Sequence, residues 1–146
     1  MTDKIRPCLW FDGNAEEAAR FYVSVLPDSR IVGVTPLVVE FVLAGRDYMG
    51  LNGGPGHPFT WAVSLSVDCE DQAEVDRYWA ALTADGGVES RCGWLQDRYG
   101  LSWQITPRIL PRLINDPDRA KADRVMQAML KMKKIVVADL EAAAAG

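Results

Sequence analysis

The sequence predicts an α+β protein of two βαβββ modules followed by a C-terminal helix. A strand–helix–three-strand pattern occurs twice, the two copies match in sequence, and a further helical pattern follows the second copy. The 146 residues are an ordinary length for one domain. We therefore expect a single domain over 1–146, with repeat one at about 4–52, repeat two at about 60–107 and the helix at about 117–142.

Repeat one begins with the apolar run Ile5–Phe11, which predicts a strand. Asn14, with Glu17 three residues later, is typical of a helix N-cap and its capping box. Pro27 ends the helix that follows, because proline cannot continue it. Apolar and β-branched segments then predict three strands, at Ser29–Thr35, Leu37–Leu43 and Tyr48–Asn52.

Repeat two begins at Ala62–Asp68, where apolar and polar residues alternate. Asp71 and Glu74 repeat the capping pattern, and Gly86-Gly87 ends the second helix. Three strands are predicted at Val88–Arg91, Trp94–Gln96 and Leu101–Thr106. The last two flank a polar turn at Asp97–Gly100, and we expect this hairpin, within Cys92–Pro107, to close one side of a ligand cavity.

The two copies can be laid over each other in both the strand and the helix. A lone module would leave one face of its sheet uncovered, so two modules are expected to pair. The alternative is that two strand–helix units resemble each other by coincidence. The matched residues are Leu9, Asp12, Arg20, Phe21, Tyr22 and Val25 with Leu65, Asp68, Arg77, Tyr78, Trp79 and Leu82.

The C-terminal helix is predicted to start with Asp116 as its cap and Pro117 at its first position. An apolar stripe recurs at helical spacing, and it points either to packing on the helix's own domain or to an arm on a second subunit. The stripe comprises Val125, Met129, Met132, Val136 and Leu140.

Composition limits the possible partners and location. The chain is 49% hydrophobic and 25% charged, with a net charge of −4, which argues against nucleic acid because phosphate binding needs a basic face. Three widely separated cysteines, Cys8, Cys69 and Cys92, indicate reduced thiols rather than a disulfide framework. No signal peptide or membrane-spanning run is visible, so we expect a cytoplasmic protein that binds no membrane.

Five segments carry a resemblance to a known family. Together they resemble the PhnB-like group of the vicinal oxygen chelate superfamily, which includes glyoxalase I, extradiol dioxygenases and bleomycin-resistance proteins. The group is customarily labelled 3-demethylubiquinone-9 3-methyltransferase. The resemblance extends over nearly the whole chain, including the terminal helix, and departs at Val34–Leu37, where the connection is shorter. The segments are LWFDGNAEEAARFY at 9–22, GLNGGPGHPF at 50–59, SLSVDCEDQAEVDRYW at 64–79, GG at 86–87 and CGWLQDRYGLSWQITP at 92–107.

The resemblance implies that the two modules form a cupped mixed sheet with the ligand held inside the cup. It also implies a homodimer. The superfamily's metal-ligand positions correspond here to Pro7, Gly50, Ala62 and Gln104. Only Gln104 among them carries a donor side chain, and the single histidine, His57, lies in a loop. We therefore expect no metal and no cofactor.

The residues expected to contact the ligand combine polar and aromatic side chains. Ser64 and Ser66 lie opposite the apolar row of their strand, so they face either the cavity or solvent. If Gln104 points into the cavity, Trp103 is core and Trp94 is the better ligand contact. The residues predicted to bind the ligand are Leu9, Asn52, Ser64, Cys92, Trp94 and Gln104.

Cys92 is the candidate nucleophile, with no catalytic residue otherwise assigned. Arg91, or His57 if the fold allows, could activate its thiol. The alternative is a small buried cysteine in a strand.

The predicted function is binding of a small molecule without a metal. The alternatives are the methyltransferase of the family label, another lyase or isomerase acting on a small oxygenated substrate, and a resistance protein that sequesters an antibiotic. The glycine run Gly53–Gly56 lacks the ending and the following helix of a nucleotide loop, and we identify no S-adenosylmethionine motif.

Overall fold

A four-stranded mixed sheet and one helix form the first unit of the chain, which divides at Phe59 into Met1–Phe59 and Thr60–Gly146. The structure, a computed structural model, describes residues 3–146, so Met1 and Thr2 of the expected 1–146 domain lie outside the described residues. The sheet order is β1-β4-β3-β2, with β1 parallel to β4 and the other pairs antiparallel. The elements are β1 Cys8–Phe11, α1 Ala15–Val25, β2 Arg30–Val34, β3 Val38–Leu43 and β4 Arg46–Asn52.

Helix α1 packs on the side of this sheet that carries Leu9. Leu9 pairs with Gly50, and a Cβ added to Gly50 would lie 3.3 Å from the Cβ of Ala15, the first residue of α1. Leu9 is buried there, as are Phe11 and the inward residues of α1. The apolar residues at helical spacing in α1 are therefore the residues that the helix buries.

The N-terminus of α1 is closed differently from the prediction. Asn14 occupies the cap position, but its side chain makes no capping hydrogen bond. Instead the backbone N–H of Ala15 donates to Oδ1 of Asn52, at 2.9 Å, from the end of β4. The capping bond predicted for the Asn14 side chain is therefore wrong, and a residue distant in sequence supplies an acceptor at this end of the helix.

The second unit repeats the same topology. Its sheet order is β5-β8-β7-β6, again with the first pair parallel and the others antiparallel. Asp71 caps α2 as predicted, since its side chain accepts from the N–H of Glu74 at 3.0 Å. Two βαβββ modules with one strand order confirm the predicted α+β fold class. The elements are β5 Ser64–Cys69, α2 Gln72–Thr83, β6 Val88–Glu89, β7 Trp94–Gln96 and β8 Ser102–Pro107.

Register shows which side of the second sheet faces α2. Trp103 pairs with Leu65 on one side and with Leu95 on the other. Leu95 in turn pairs with Glu89 of β6. Nε1 of Trp79, on α2, donates to Oε1 of Glu89 at 2.6 Å, so this row lies on the helix side. Trp103 is 1% exposed, which confirms that it is a core residue.

The C-terminal helical segment is divided rather than continuous. The predicted single helix over 117–142 is wrong, because residues 130–136 leave the helix, and Asp118 rather than Asp116 caps its first part. A short helix before it was not predicted. The elements are α3 Ile109–Ile114, α4 Arg119–Met129 and α5 Val137–Ala145.

Hydrogen bonds to the rest of the second unit explain the break. The carbonyls of Met132 and Lys133 accept from the N–H groups of Cys92 and Gly93, at 2.9 and 2.8 Å. A continuous helix would use these carbonyls internally, so the two arrangements exclude each other. Ile135 is fully buried in a small core with residues of α3, α4 and α5, which also favours the break.

Candidate functional site

A row of hydrogen-bonding side chains lies on the face of the second sheet that points away from α2. The period of two along each strand places them there, opposite Leu65, Leu95 and Trp103. We call them the polar row. Ser66 is exposed and Ser102 is fully buried, so the row runs from the interior to an accessible surface. The polar row consists of Ser64, Ser66, Gln96, Ser102 and Gln104.

Hydrogen bonds inside the polar row fix its side chains. Nε2 of Gln104 donates to Oγ of Ser64 at 3.0 Å. Oγ of Ser102 donates to the carbonyl of Thr60 at 3.1 Å and accepts from Nε2 of Gln96 at 3.5 Å. One amide hydrogen of Gln104 is used in this way, which leaves its carbonyl oxygen and second hydrogen for an incoming molecule.

Trp94 lies on the same face and is half-buried. It pairs with Gln104 across the sheet, and its ring centre lies 6.3 Å from that of Trp61 at an interplanar angle of 60°. Trp61 is 43% exposed. Ser64, Trp94 and Gln104 therefore lie on one face of the second sheet, and Trp61 is an aromatic neighbour that the sequence did not indicate.

Asp97 organises the turn between β7 and β8 and is 2% exposed. Oδ1 accepts from the N–H groups of Tyr99 and Leu101, at 2.8 and 3.1 Å, and Oδ2 accepts from Nε1 of Trp103 at 2.9 Å. The sequence identified only a polar turn here. An aspartate side chain commonly accepts a hydrogen bond from the backbone two residues later in a turn. The bond between Asp97 and Trp103, however, depends on the register of the hairpin.

Cys92 lies in the turn before β7 and not in a strand. The strand predicted at Val88–Arg91 is shorter than expected. Strand β6 ends at Glu89, and Cys92 has a left-handed backbone with φ of 58°. Strand alternation therefore does not extend from Trp94 and Gln96 to Cys92. The Cys92 side chain is partly exposed, and its backbone N–H bonds to Met132.

Leu9 and Asn52 lie in the first unit on the side of the sheet that faces α1. Leu9 is buried in the core, and the Asn52 side chain accepts from Ala15 and donates to the carbonyl of Pro36 at 3.1 Å. Both groups of the Asn52 carboxamide are thus engaged in the fold. The contact of Leu9 and Asn52 with a ligand stays a prediction.

The four positions that correspond to metal ligands do not form a donor set. The backbone carbonyl of Pro7 accepts from Met49, and a side chain at Gly50 would point at α1. Ala62 carries no donor, and Gln104 is bonded to Ser64. Within residues 3–146, no group of three or more His, Cys, Asp or Glu side chains is close enough to hold a metal ion. The residues present do not fit a divalent cation.

The two remaining cysteines differ sharply in environment. Cys69 is fully buried at the end of β5, and burial, with the nearby charges of Glu74 and Asp68, raises the pKa of its thiol to about 12. A thiol held protonated in this way is a poor nucleophile. Cys8 is exposed on β1.

His57 contacts an aromatic side chain in the first unit. Its ring centre lies 4.6 Å from that of Trp10 in an edge arrangement, and the indole Nε1 of Trp10 donates to the carbonyl of Gly54 at 2.9 Å. This contact accounts for the placement of the loop that follows β4.

The two βαβββ modules, with their common strand order and the family matches that follow, define this chain as a member of the vicinal oxygen chelate superfamily. A model of the family described as 3-demethylubiquinone-9 3-methyltransferase matches residues 3–106, and the chain belongs to that family. The match ends before α3, so the expected extension of the resemblance over the terminal helix is corrected. Comparison with curated proteins gave no match.

Solved structures share the fold. A PhnB protein from Bacillus cereus with the same methyltransferase description is 33% identical, with a TM-score of 0.65, and the alignment covers 72% of this chain and 99% of that one. A glyoxalase/bleomycin resistance protein from Albidiferax ferrireducens is 14% identical, with a TM-score of 0.52 and coverage of 67% and 92%. The fosfomycin resistance protein FosX from Listeria monocytogenes, complexed with Mn(II) and sulfate, is 12% identical, with a TM-score of 0.54 and coverage of 70% and 87%.

The two more distant structures support the fold alone.

None of the helices in residues 3–146 has the length and apolar character needed to cross a membrane.

Proposed function

We propose that this chain binds a small oxygenated molecule on the polar row of the second sheet, without a resident metal ion. The observation that supports the proposal best is the position of Gln104. Its side chain is held by Ser64, while Ser66 and Trp94 lie beside it on the same face. A few fixed polar groups next to an aromatic surface are typical of sites that orient a small ligand.

The chemistry of the row favours a neutral or weakly charged ligand. Serine hydroxyls both donate and accept, and the Gln104 carboxamide offers a carbonyl oxygen and an N–H. Such groups pair with hydroxyl, carbonyl or ether oxygens of a ligand, and the Trp94 ring provides apolar contact area for a planar part. Asp68, two residues after Ser66 on β5, bonds to Arg108 at 3.0 Å.

The absence of a metal ion is part of the same proposal. It is supported by the donor set, because the corresponding positions are proline, glycine and alanine together with a bonded glutamine. Metal analysis of the purified protein tests this point, and stoichiometric zinc, nickel or manganese would refute it.

The family description makes a methyl-transfer activity the first alternative to test. Glycine-rich loops that bind nucleotide-like cofactors precede a helix, whereas Gly53–Gly56 leads into β5 without one. Calorimetry with S-adenosylmethionine decides between the two. Micromolar binding would support the methyltransferase, and its absence would leave the binding function.

A ligand-screening thermal shift experiment tests the binding site. Ligand at a hundredfold excess over its Kd stabilises the folded state by about 2.7 kcal/mol, which is roughly 5–10 °C for a domain of this size. We expect Gln104→Met and Trp94→Ala to lose most of the shift. The exposed Gln127→Ala on α4 serves as the matched control and should keep it. An identical shift in all three variants would contradict the site.

A homodimer in the cytoplasm completes the proposal. Exposed apolar residues on the edge strand β2, Val32 and Val34, support self-association, since such edges are usually covered. Three free cysteines support a reducing compartment. Light scattering after size-exclusion chromatography measures the oligomeric state, and a monomer at micromolar concentration would contradict the dimer.

A further inference from the structure

The C-terminal segment between α4 and α5 is attached to the second module by side chains as well as by its backbone. The strap, as we call it, comprises Met132–Val137, which ends at the first residue of α5, and it lies outside the residues that the family model matches. The carboxamide of Gln72, the first residue of α2, bonds to it twice. Nε2 donates to the carbonyl of Ile135 at 3.0 Å, and Oε1 accepts from the N–H of Val137 at 2.6 Å.

An ion pair supports the same attachment. Oδ1 of Asp76, one turn along α2, lies 2.8 Å from Nζ of Lys134 and accepts from Nε2 of Gln72 at 2.9 Å. A hydrogen bond from Lys134, with a second from Gln72, lowers the pKa of the Asp76 carboxyl from its ordinary value. Asp76 therefore orients Gln72 while Lys134 holds the strap in place.

On its other side the strap contacts the turn that leads into Trp94. Cys92 and Gly93 donate their N–H groups to Met132 and Lys133. Gly93 has φ of 82°, and a Cβ added there would lie 3.1 Å from the Ile135 side chain and 2.8 Å from the carbonyl of Ile105. The strap therefore contacts the turn at Gly93, where the left-handed backbone and the close neighbours leave room only for glycine.

This turn also determines where β7 starts. The carbonyl of Gly93 accepts from the N–H of Ile105 on β8 at 2.7 Å, and Trp94 follows directly on the face of the polar row. A continuous series of contacts therefore joins Gln72, the strap, the turn and Trp94.

We propose that the strap positions Trp94 beside the polar row, with Gln72 as the positioning residue that keeps the strap closed. Opening of the strap frees the turn and displaces Trp94. The consequence for ligand affinity rests on the proposed function, whereas the movement of Trp94 does not.

Amide hydrogen exchange of Gln72→Ala, read residue by residue by NMR, tests the first step. Loss of two hydrogen bonds should reduce protection at Cys92, Gly93 and Val137 on the order of ten-fold or more, while amides of β5 keep theirs. Gln127→Ala is the matched control. Unchanged protection at Gly93, or an equal loss throughout the unit, would overturn the proposal.

Fluorine NMR of 5-fluorotryptophan-labelled protein tests the second step, with the Trp94 signal assigned by Trp94→Phe. In Gln72→Ala the Trp94 signal should shift or broaden while that of the buried Trp103 stays unchanged. A strap that opens without any change at Trp94 would overturn the proposal. If Gln72→Ala fails to fold, Lys134→Ala should give smaller changes of the same kind. Neither measurement uses a ligand, so each outcome is independent of whether the polar row binds one.

Discussion

The indole N–H of Trp103 donates to the carboxylate of Asp97 at 2.9 Å, and both side chains are almost completely buried. The bond joins the hairpin turn to the layer between the second sheet and α2. The same carboxylate also accepts two backbone N–H groups of the turn. The buried carboxylate of Asp97 therefore accepts from at least three donors, and such hydrogen bonding is what makes a buried polar group tolerable.

Replacement of Asp97 by asparagine should destabilise the protein by about 2 kcal/mol. Oδ1 can keep its two backbone bonds, but an amide NH₂ in place of Oδ2 faces the Trp103 N–H, so two donors meet. Urea unfolding monitored by circular dichroism measures the change.

The exposed Asp123→Asn on α4 controls for the lost charge and should change stability by less than about 0.5 kcal/mol. Combining Asp97→Asn with Trp103→Phe should cost less than the sum of the single changes, because both remove one bond. Strict additivity would contradict the coupling.

Replacement of Asn52 and replacement of Asn14 should have different effects on stability at the start of α1. Asn52→Ala removes the acceptor for Ala15 N–H and the donor to Pro36, and should cost about 1–2 kcal/mol. Asn14→Ala removes no capping bond and should cost less than about 0.5 kcal/mol. Thermal and urea unfolding of the two variants check this, and a larger loss at Asn14 would show that the helix is capped locally.

The contrast between Asn14 and Asn52 shows how far the sequence could predict this structure. Local signals sufficed for the strands, for α2 with its cap at Asp71, and for the assignment of Trp94 and Trp103 to opposite faces, since each rests on a short-range period. The acceptor at Asn52, the bond between Asp97 and Trp103, and the break at residues 130–136 depend on partners distant in sequence. Tertiary hydrogen bonds therefore decided the features that pattern alone could not.

Stability should fall with rising pH between about 9 and 12 because of Cys69. The folded protein holds the Cys69 thiol protonated, with a pKa of about 12, whereas in the unfolded chain the thiol ionises near its ordinary value. Below the unfolded pKa the thiol is neutral in both states and its full contribution is present. Above it the unfolded state gains stability by up to about 1.4 kcal/mol per pH unit.

The measurement compares urea unfolding of the wild type and Cys69→Ala at pH 8.5, 9.5 and 10.5. We expect the variant to be less stable at pH 8.5, through lost packing, but to show a flatter decline with pH. Cys8→Ala, at an exposed position, should keep the steeper wild-type slope. Parallel slopes for all three proteins would rule out Cys69 as the cause.

Gly53 and Gly33 test how closely the backbone approaches Trp10 in the first unit. A Cβ added to Gly53 would overlap the Trp10 ring, whereas one added to Gly33 would meet nothing within 4 Å. Neither glycine has a left-handed backbone, so alanine brings no conformational strain at either position. Gly53→Ala should therefore displace the indole, lose its bond to Gly54 and cost about 1–3 kcal/mol, whereas Gly33→Ala should be neutral or stabilising by less than about 1 kcal/mol. Urea unfolding gives both free energies, and equal effects at the two glycines would mean that Trp10 does not pack against Gly53.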